Sequence, residues 1–215
     1  LRLLSQRPAD ALARTFAEAD PTSPPDTERR ERQLAPLGTL QQWAHNQGNL
    51  ALADHCQRFA QETQSGTART LPGPTGERNV YTLAPRARVL CMAQSADDLL
   101  LQTAAVLASG GTALWPSTQA GLRTKLPSHV QAQVMLQDNA LNDGSVALDA
   151  VLHHGDAPSL QAVCAALARR PGPIVGVTAL QPGATDIPLE RLLIERALSV
   201  NTAAAGGNAS LMTIG

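Results

Sequence analysis

Aromatic side chains are scarce in this sequence: Phe16, Trp43, Phe59, Tyr81 and Trp115 make up 2% of its 215 residues. Without rings on which bases can stack, it has no platform for single-stranded nucleic acid. Charge of one sign is missing as well, because 17 basic and 18 acidic residues leave a net charge of −1. Nothing electrostatic therefore draws the chain to nucleic acid or to an anionic membrane, and neither partner is expected. No apolar run approaches the length of a membrane span, and no signal-peptide pattern precedes the first helix. Cysteine is limited to Cys56, Cys91 and Cys164, far apart and without CxxC spacing, which predicts reduced, buried thiols in a cytoplasmic protein. In that setting the Asn208-Ala209-Ser210 sequon has no consequence. An initiator methionine is also missing: Leu1 stands inside a helical pattern, as in a piece of something longer.

What is present is organised around Arg88 to Pro116, RVLCMAQSADDLLLQTAAVLASGGTALWP. Val89 to Ala93 is a short apolar run of the kind buried on both faces of a parallel sheet. Ser95 followed by Asp98 is a capping-box pattern; Leu99, Leu100, Thr103, Val106 and Leu107 keep one helix face apolar, and Gly110-Gly111 ends it. Thr112 to Trp115 is the return strand, giving a right-handed crossover of Rossmann type. The same unit argues against a dinucleotide. Its first turn, Gln94 to Asp98, has no glycine to let backbone approach a pyrophosphate, and Asp97 and Asp98 already occupy the positive helix end. The second strand ends in Trp115-Pro116, with neither a carboxylate for a ribose hydroxyl nor a lysine. No cofactor is expected.

Taken in order, Leu1 to Ala19 predicts a helix with a narrow apolar stripe, broken at Pro8, and Asp20 to Asp26 a proline-rich loop. A second helical region starts at Thr27 and runs to Phe59, with interruptions at Pro36 and near Gly48. Thr70 to Asn79 is a turn cluster, and Tyr81 to Leu83 a short edge strand. After Pro116 we expect a crossover helix over 118–126, strands over Gln131–Leu136 and Asp149–His153, a helix over Pro158–Arg170 and a strand over Pro173–Leu180. From Gln181 the pattern changes. Leu192, Ile194, Leu198 and Val200 alternate with polar residues, the period of a strand with one buried face, so Ile174 to Val200 is read as including a hairpin. An amphipathic helix over Pro188 to Leu198 is the competing reading. The fold class is thus α/β: a Rossmann-like, doubly wound, mostly parallel sheet (71–180), with an N-terminal helical arm (1–70), a C-terminal β-hairpin or flap (181–201) and an extended tail (202–215).

No residue stands in a setting that activates it. Cys91 in an apolar strand and Cys164 on an apolar helix face are read as inert core thiols. His153 and His154 point to opposite faces of a strand, so they cannot ligate one metal together, and one of them is expected to be exposed. HExxH, GxSxG and P-loop patterns are missing. No catalytic, cofactor or metal residue is assigned.

The stretch Leu189 to Gly215, LERLLIERALSVNTAAAGGNASLMTIG, closely resembles the C-terminus of the large bifunctional proline-utilization proteins. These join a flavin proline dehydrogenase to an NAD-dependent glutamate-semialdehyde dehydrogenase. LPGPTGERN (Leu71 to Asn79), RVLCMA (Arg88 to Ala93) and LWP (Leu114 to Pro116) stand where those proteins carry a C-terminal aldehyde-dehydrogenase-superfamily domain after a helical linker. The layout is similar to the NAD-binding half of true aldehyde dehydrogenases, with two departures. Gln94-Ser95-Ala96 replaces a Trp-Asn-Phe-Pro type turn, and Trp115 stands where a lysine precedes the proline. The resemblance implies a non-catalytic domain of a bacterial, cytoplasmic parent that holds FAD and NAD elsewhere and sits peripherally at the inner membrane. It further implies that the chain packs on the parent's dehydrogenase domain as a second subunit would. Hairpin and tail would then cover the tunnel carrying the proline-derived intermediate. Thr202 to Gly215 has no charged side chain and many small ones, which lets backbone lie close against another surface. The residues expected at that lid are Asn201, Thr202, Gly206, Gly207, Asn208, Ser210, Leu211 and Met212. The rival readings are a dinucleotide-binding module and an oligomerisation domain, a homodimer through the hairpin edge.

Overall fold

A computed structural model describes residues 27–74 and 76–201. The helix expected over Leu1–Ala19 and the tail from Thr202 onward lie outside the described residues. The chain opens with two antiparallel helices, α1 (Thr27–Asn46) and α2 (Leu50–Glu62). Pro36 does not interrupt α1. It removes the hydrogen bond to the carbonyl four residues back, but the burial of Pro36, Leu37, Leu40 and Ala44 holds the helix together across it. The break comes at Gln47–Asn49, where Gly48 takes a φ of 73° and the Asn49 side chain caps α2 at Leu52 N, 3.0 Å.

Strands β1 (Ala68–Leu71) and β2 (Glu77–Pro85) then form a hairpin around the proline- and glycine-rich turn. The central unit follows as expected: β3 (Arg88–Ala93), α3 (Ala96–Ser109) and β4 (Thr112–Trp115). The crossover expected over 118–126 is shorter and broken, a 3-10 turn at Ser117–Gln119 and two single-turn helices, α4 (Ala120–Arg123) and α5 (Ser128–Gln131). Pro127 separates those two helices, yet Leu122, Leu126 and Val130 still reach the core. Next come β5 (Val134–Leu136), β6 (Ala150–His154), α6 (Ala157–Arg169), β7 (Gly176–Leu180), a 3-10 turn at Leu189–Leu192 and β8 (Leu193–Asn201).

Five strands make a parallel sheet in the order β5-β4-β3-β6-β7, the doubly wound arrangement. One face carries α3, which is buried from Asp98 to Ser109 because α1 and α2 cover its far side. That explains why its sequence is apolar nearly all round. The opposite face is thinner: Leu90, Leu114 and Val151 lie under Val163 of α6 and under Ala140 and Leu148 of the preceding loop. On α6 the core-facing positions are Val163 and Ala166, and Cys164, one residue and about 100° further round, is exposed rather than buried.

A second, antiparallel sheet has the order β1-β2-β8. Residues 193–201 are a strand, as the alternation predicts, and the helix over 188–198 reduces to the 3-10 turn. The partner of β8 is β2, from Pro85↔Leu193 to Glu77↔Asn201. What reads locally as a short edge strand at Tyr81–Leu83 is therefore the middle strand of this sheet. Arg86 joins the two sheets, its Nε donating to Arg191 O at 2.9 Å and its Nη1 to Asp149 O at 3.0 Å. No helix among the described residues is long and apolar enough to cross a membrane.

Candidate functional site

In an open doubly wound sheet, ligands bind outside the carboxyl ends of the strands where the strand order reverses. Here that point lies between β3 and β6, next to the N-terminus of α3. Ser95 caps the helix, its Oγ accepting from Asp98 N at 3.0 Å. The Asp98 carboxylate does not turn back to complete the capping box. Instead it accepts the Gly183 N–H at 3.1 and 3.2 Å on its two oxygens. A peptide group of the chain itself thus sits at the positive helix end that receives a pyrophosphate in dinucleotide-binding folds. Gly183 has a φ of 79°, a left-handed conformation suited to glycine, and the turn closes through Ala184 N to Gln181 O, 3.0 Å.

A buried polar network backs this turn. Gln102, fully buried in α3, donates from Nε2 to Met92 O at 3.0 Å and to His154 Nδ1 at 2.8 Å. With Nδ1 accepting, the imidazole hydrogen is on Nε2, which donates to Ala184 O at 2.9 Å. So β3, α3, β6 and the Gln181–Ala184 turn are tied through Gln102 and His154. Both histidines of the pair are buried, His153 to 3% and His154 to 2% exposure, contrary to the expectation that one is exposed. They do point to opposite faces, but each face of β6 is covered.

His153 lies on the other side. Its Nε2 stands 2.9 Å from Ser159 Oγ, and that hydroxyl also bonds Asp156 O at 3.0 Å. Burial pushes the His153 pKa below its ordinary value, against the nearby Asp156 carboxylate, which raises it. A serine beside a histidine invites comparison with a hydrolytic triad. Here, however, no carboxylate orients the ring, since Nδ1 has no partner among the described residues, and the ring is out of reach of a substrate. Asp156 is spent as the α6 N-cap, accepting Ser159 N at 2.9 Å. The arrangement caps a helix.

Cys91 is held protonated by burial, and burial pushes the Cys56 thiol up to about 12. Neither is a nucleophile at neutral pH. Among the described residues, no group of three or more His, Cys, Asp or Glu could hold a metal ion. Trp115 is wholly buried under α3, its indole N–H donating to Thr103 Oγ1 at 3.0 Å. Of the residues expected at the lid, Asn201 is the last described, exposed at the end of β8 opposite Glu77. Thr202, Gly206, Gly207, Asn208, Ser210, Leu211 and Met212 lie outside the described residues. From the sequence His154 is weighed only as half of a metal pair, and Gln102 and Gly183 carry no site assignment; the one signal for the network is a glutamine inside an otherwise apolar helix.

No family model matches the chain. It is 49% identical over 216 aligned residues, all of its length, to the bifunctional protein PutA of Escherichia coli K12. The chain spans only 16% of that relative's length. By structure it is similar to a PutA variant from Bradyrhizobium japonicum, with a TM-score of 0.52, 18% identity and coverage of 80% of this chain and 21% of that one. A lactaldehyde dehydrogenase gives a TM-score of 0.55 at 11% identity, covering 79% of this chain and 42% of the other. At these identities the structures speak for the fold alone, which is aldehyde dehydrogenase-like. About half of its residues being identical from end to end, the chain is a homologue of one segment of those bifunctional PutA proteins.

Proposed function

We propose that the chain is a non-catalytic segment of a bifunctional enzyme converting proline to glutamate, packing on that enzyme's NAD-dependent glutamate-semialdehyde dehydrogenase domain and sealing the passage between its active sites. The observation that supports this most is the filled crevice: Gly183 on Asp98 and Ala184 on His154 occupy the place where a Rossmann sheet holds its dinucleotide. The residues present do not fit NAD, because the helix end offers a carboxylate already bonded to backbone. The flavin and NAD of such an enzyme are then held by other parts of the parent chain.

Calorimetry with millimolar NAD or NADP is expected to show no saturable heat. A dissociation constant below about 100 μM, roughly 5.5 kcal/mol of binding free energy, overturns this and favours the dinucleotide-binding alternative.

The tail, Thr202 to Gly215, is the part that reaches the neighbouring domain in this proposal, with Asn201, Thr202, Asn208 and Ser210 hydrogen-bonding along it and Gly206 and Gly207 allowing close approach. Deleting it from the full parent is expected to leave proline oxidation nearly intact, to weaken semialdehyde oxidation and to introduce a lag before NADH forms from proline. Stopped-flow traces with no lag and unchanged semialdehyde turnover would show that the tail neither covers nor supports the passage. A second reading, a homodimer formed along the flap, is favoured by one feature: among the described residues β8 pairs with β2 on one side only, leaving its other edge for a further strand.

A further inference from the structure

Away from the sheet's ligand edge, a groove of about 270 Å³ lies between the end of α2, strands β2 and β8, and the segment Asp186–Glu190. Its floor is apolar, with Leu83 and Ile187 buried, and its rim carries the carboxylates of Glu62, Asp186, Glu190 and Glu195. Arg58 is the one cation paired there among the described residues, 3.7 Å from Glu62 and 3.6 Å from Asp186. Glu190 and Glu195 form no ion pair among the described residues. The volume is just under the range of small-molecule pockets, about 300–1,000 Å³, and suits one or two long side chains.

We propose that this groove docks the N-terminal segment of the same chain, Leu1–Phe16, through its arginines. That segment, LRLLSQRPADALARTF, carries Arg2, Arg7 and Arg14 against the single Asp10. It is also tethered beside the groove. Arg30, in the first turn of α1, donates to Ala60 O at 3.2 Å and Thr63 O at 3.5 Å, so α1 starts next to the end of α2, where Glu62 stands on the rim. The ten residues 17–26 span at most roughly 33–36 Å, which keeps the arginines at high effective concentration near the carboxylates. An apolar floor under a carboxylate rim matches a long arginine stem with a charged, forked head.

Hydrogen exchange of residues 1–16 in the whole 215-residue chain tests this. Protection at low salt is expected to fall about fivefold in Glu190→Lys/Glu195→Lys, in Arg7→Glu/Arg14→Glu, and in the unmodified chain at about 0.5 M salt. Combining the two charge reversals is expected to restore most of it. Glu190 and Glu195 are exposed, and an unchanged circular dichroism melt shows that their variants fold. Exchange of residues 1–16 at the rate of an unstructured peptide, or no response to the groove substitutions, overturns the proposal. So does protection that rises with protein concentration, which assigns the groove to a second copy.

Discussion

Trp115→Ala is expected to destabilise the chain by about 3–5 kcal/mol, enough to remove a large part of the stability of a typical domain. Trp115 is the largest fully buried side chain of the molecule's described residues. It stands at the carboxyl end of β4, and its indole N–H donates to Thr103 Oγ1 on α3, whose hydroxyl in turn donates to Leu99 O at 2.8 Å. The substitution leaves a cavity between sheet and helix and strips Thr103 of its donor. Trp115→Phe keeps most of the ring and loses the hydrogen bond, for an expected cost of about 1–2 kcal/mol. Urea unfolding followed by circular dichroism separates the two. A Trp115→Ala cost below about 1 kcal/mol, the ordinary size for a point change, would mean that the indole does not organise the sheet–helix contact.

The parts of the fold that could be read from sequence are those set by local pattern. The β3-α3-β4 unit announced itself because its apolar strands, its Ser95 cap and its Gly110 stop are all within one stretch of chain. Gly110 does end the helix in a left-handed conformation, φ 83°. The partner of β8 could not be read that way. Alternation fixes which face of a strand is buried, but its pairing with β2 spans most of the chain and depends on how the two ends of the domain meet. Pro36 misled for a similar reason: its helix-breaking tendency is local, and tertiary burial of Leu37 and Leu40 outweighs it.

At the candidate site the sequence argues against a phosphate but holds no sign of the group that stands at the helix end. The two carboxylates at the start of α3 and the missing glycines already argue against a phosphate. The group that replaces it, Gly183, is 85 residues away from Asp98 and reads in isolation as an ordinary Pro-Gly turn. The exposure of Cys164 and the burial of both His153 and His154 are not legible locally, because exposure depends on which face the neighbouring elements cover. α6 covers the sheet with a narrow stripe that excludes Cys164, while β6 is covered on both sides.

Gln102→Leu is the sharpest test of the network behind that turn, with an expected loss of about 2–4 kcal/mol. Leucine fills a similar volume in α3, so little cavity forms and the loss comes from polar groups. Two acceptors, the half-buried Met92 O and the buried His154 Nδ1, lose the donors that Gln102 Nε2 supplies, and a buried orphaned group costs about 1–3 kcal/mol. Part of this is offset because Gln102 Oε1 is itself buried without a partner and disappears with the substitution. His154 has a second consequence. Its ring is held by bonds at both nitrogens, to Gln102 and to Ala184 O, and releasing one leaves the other free to rotate away from the turn. The Gly183 amide, protected by Asp98, is then expected to exchange faster than global unfolding alone accounts for. Gln102→Leu with stability within about 0.5 kcal/mol of the parent and unchanged exchange at Gly183 would show that the turn holds its place through Asp98 alone.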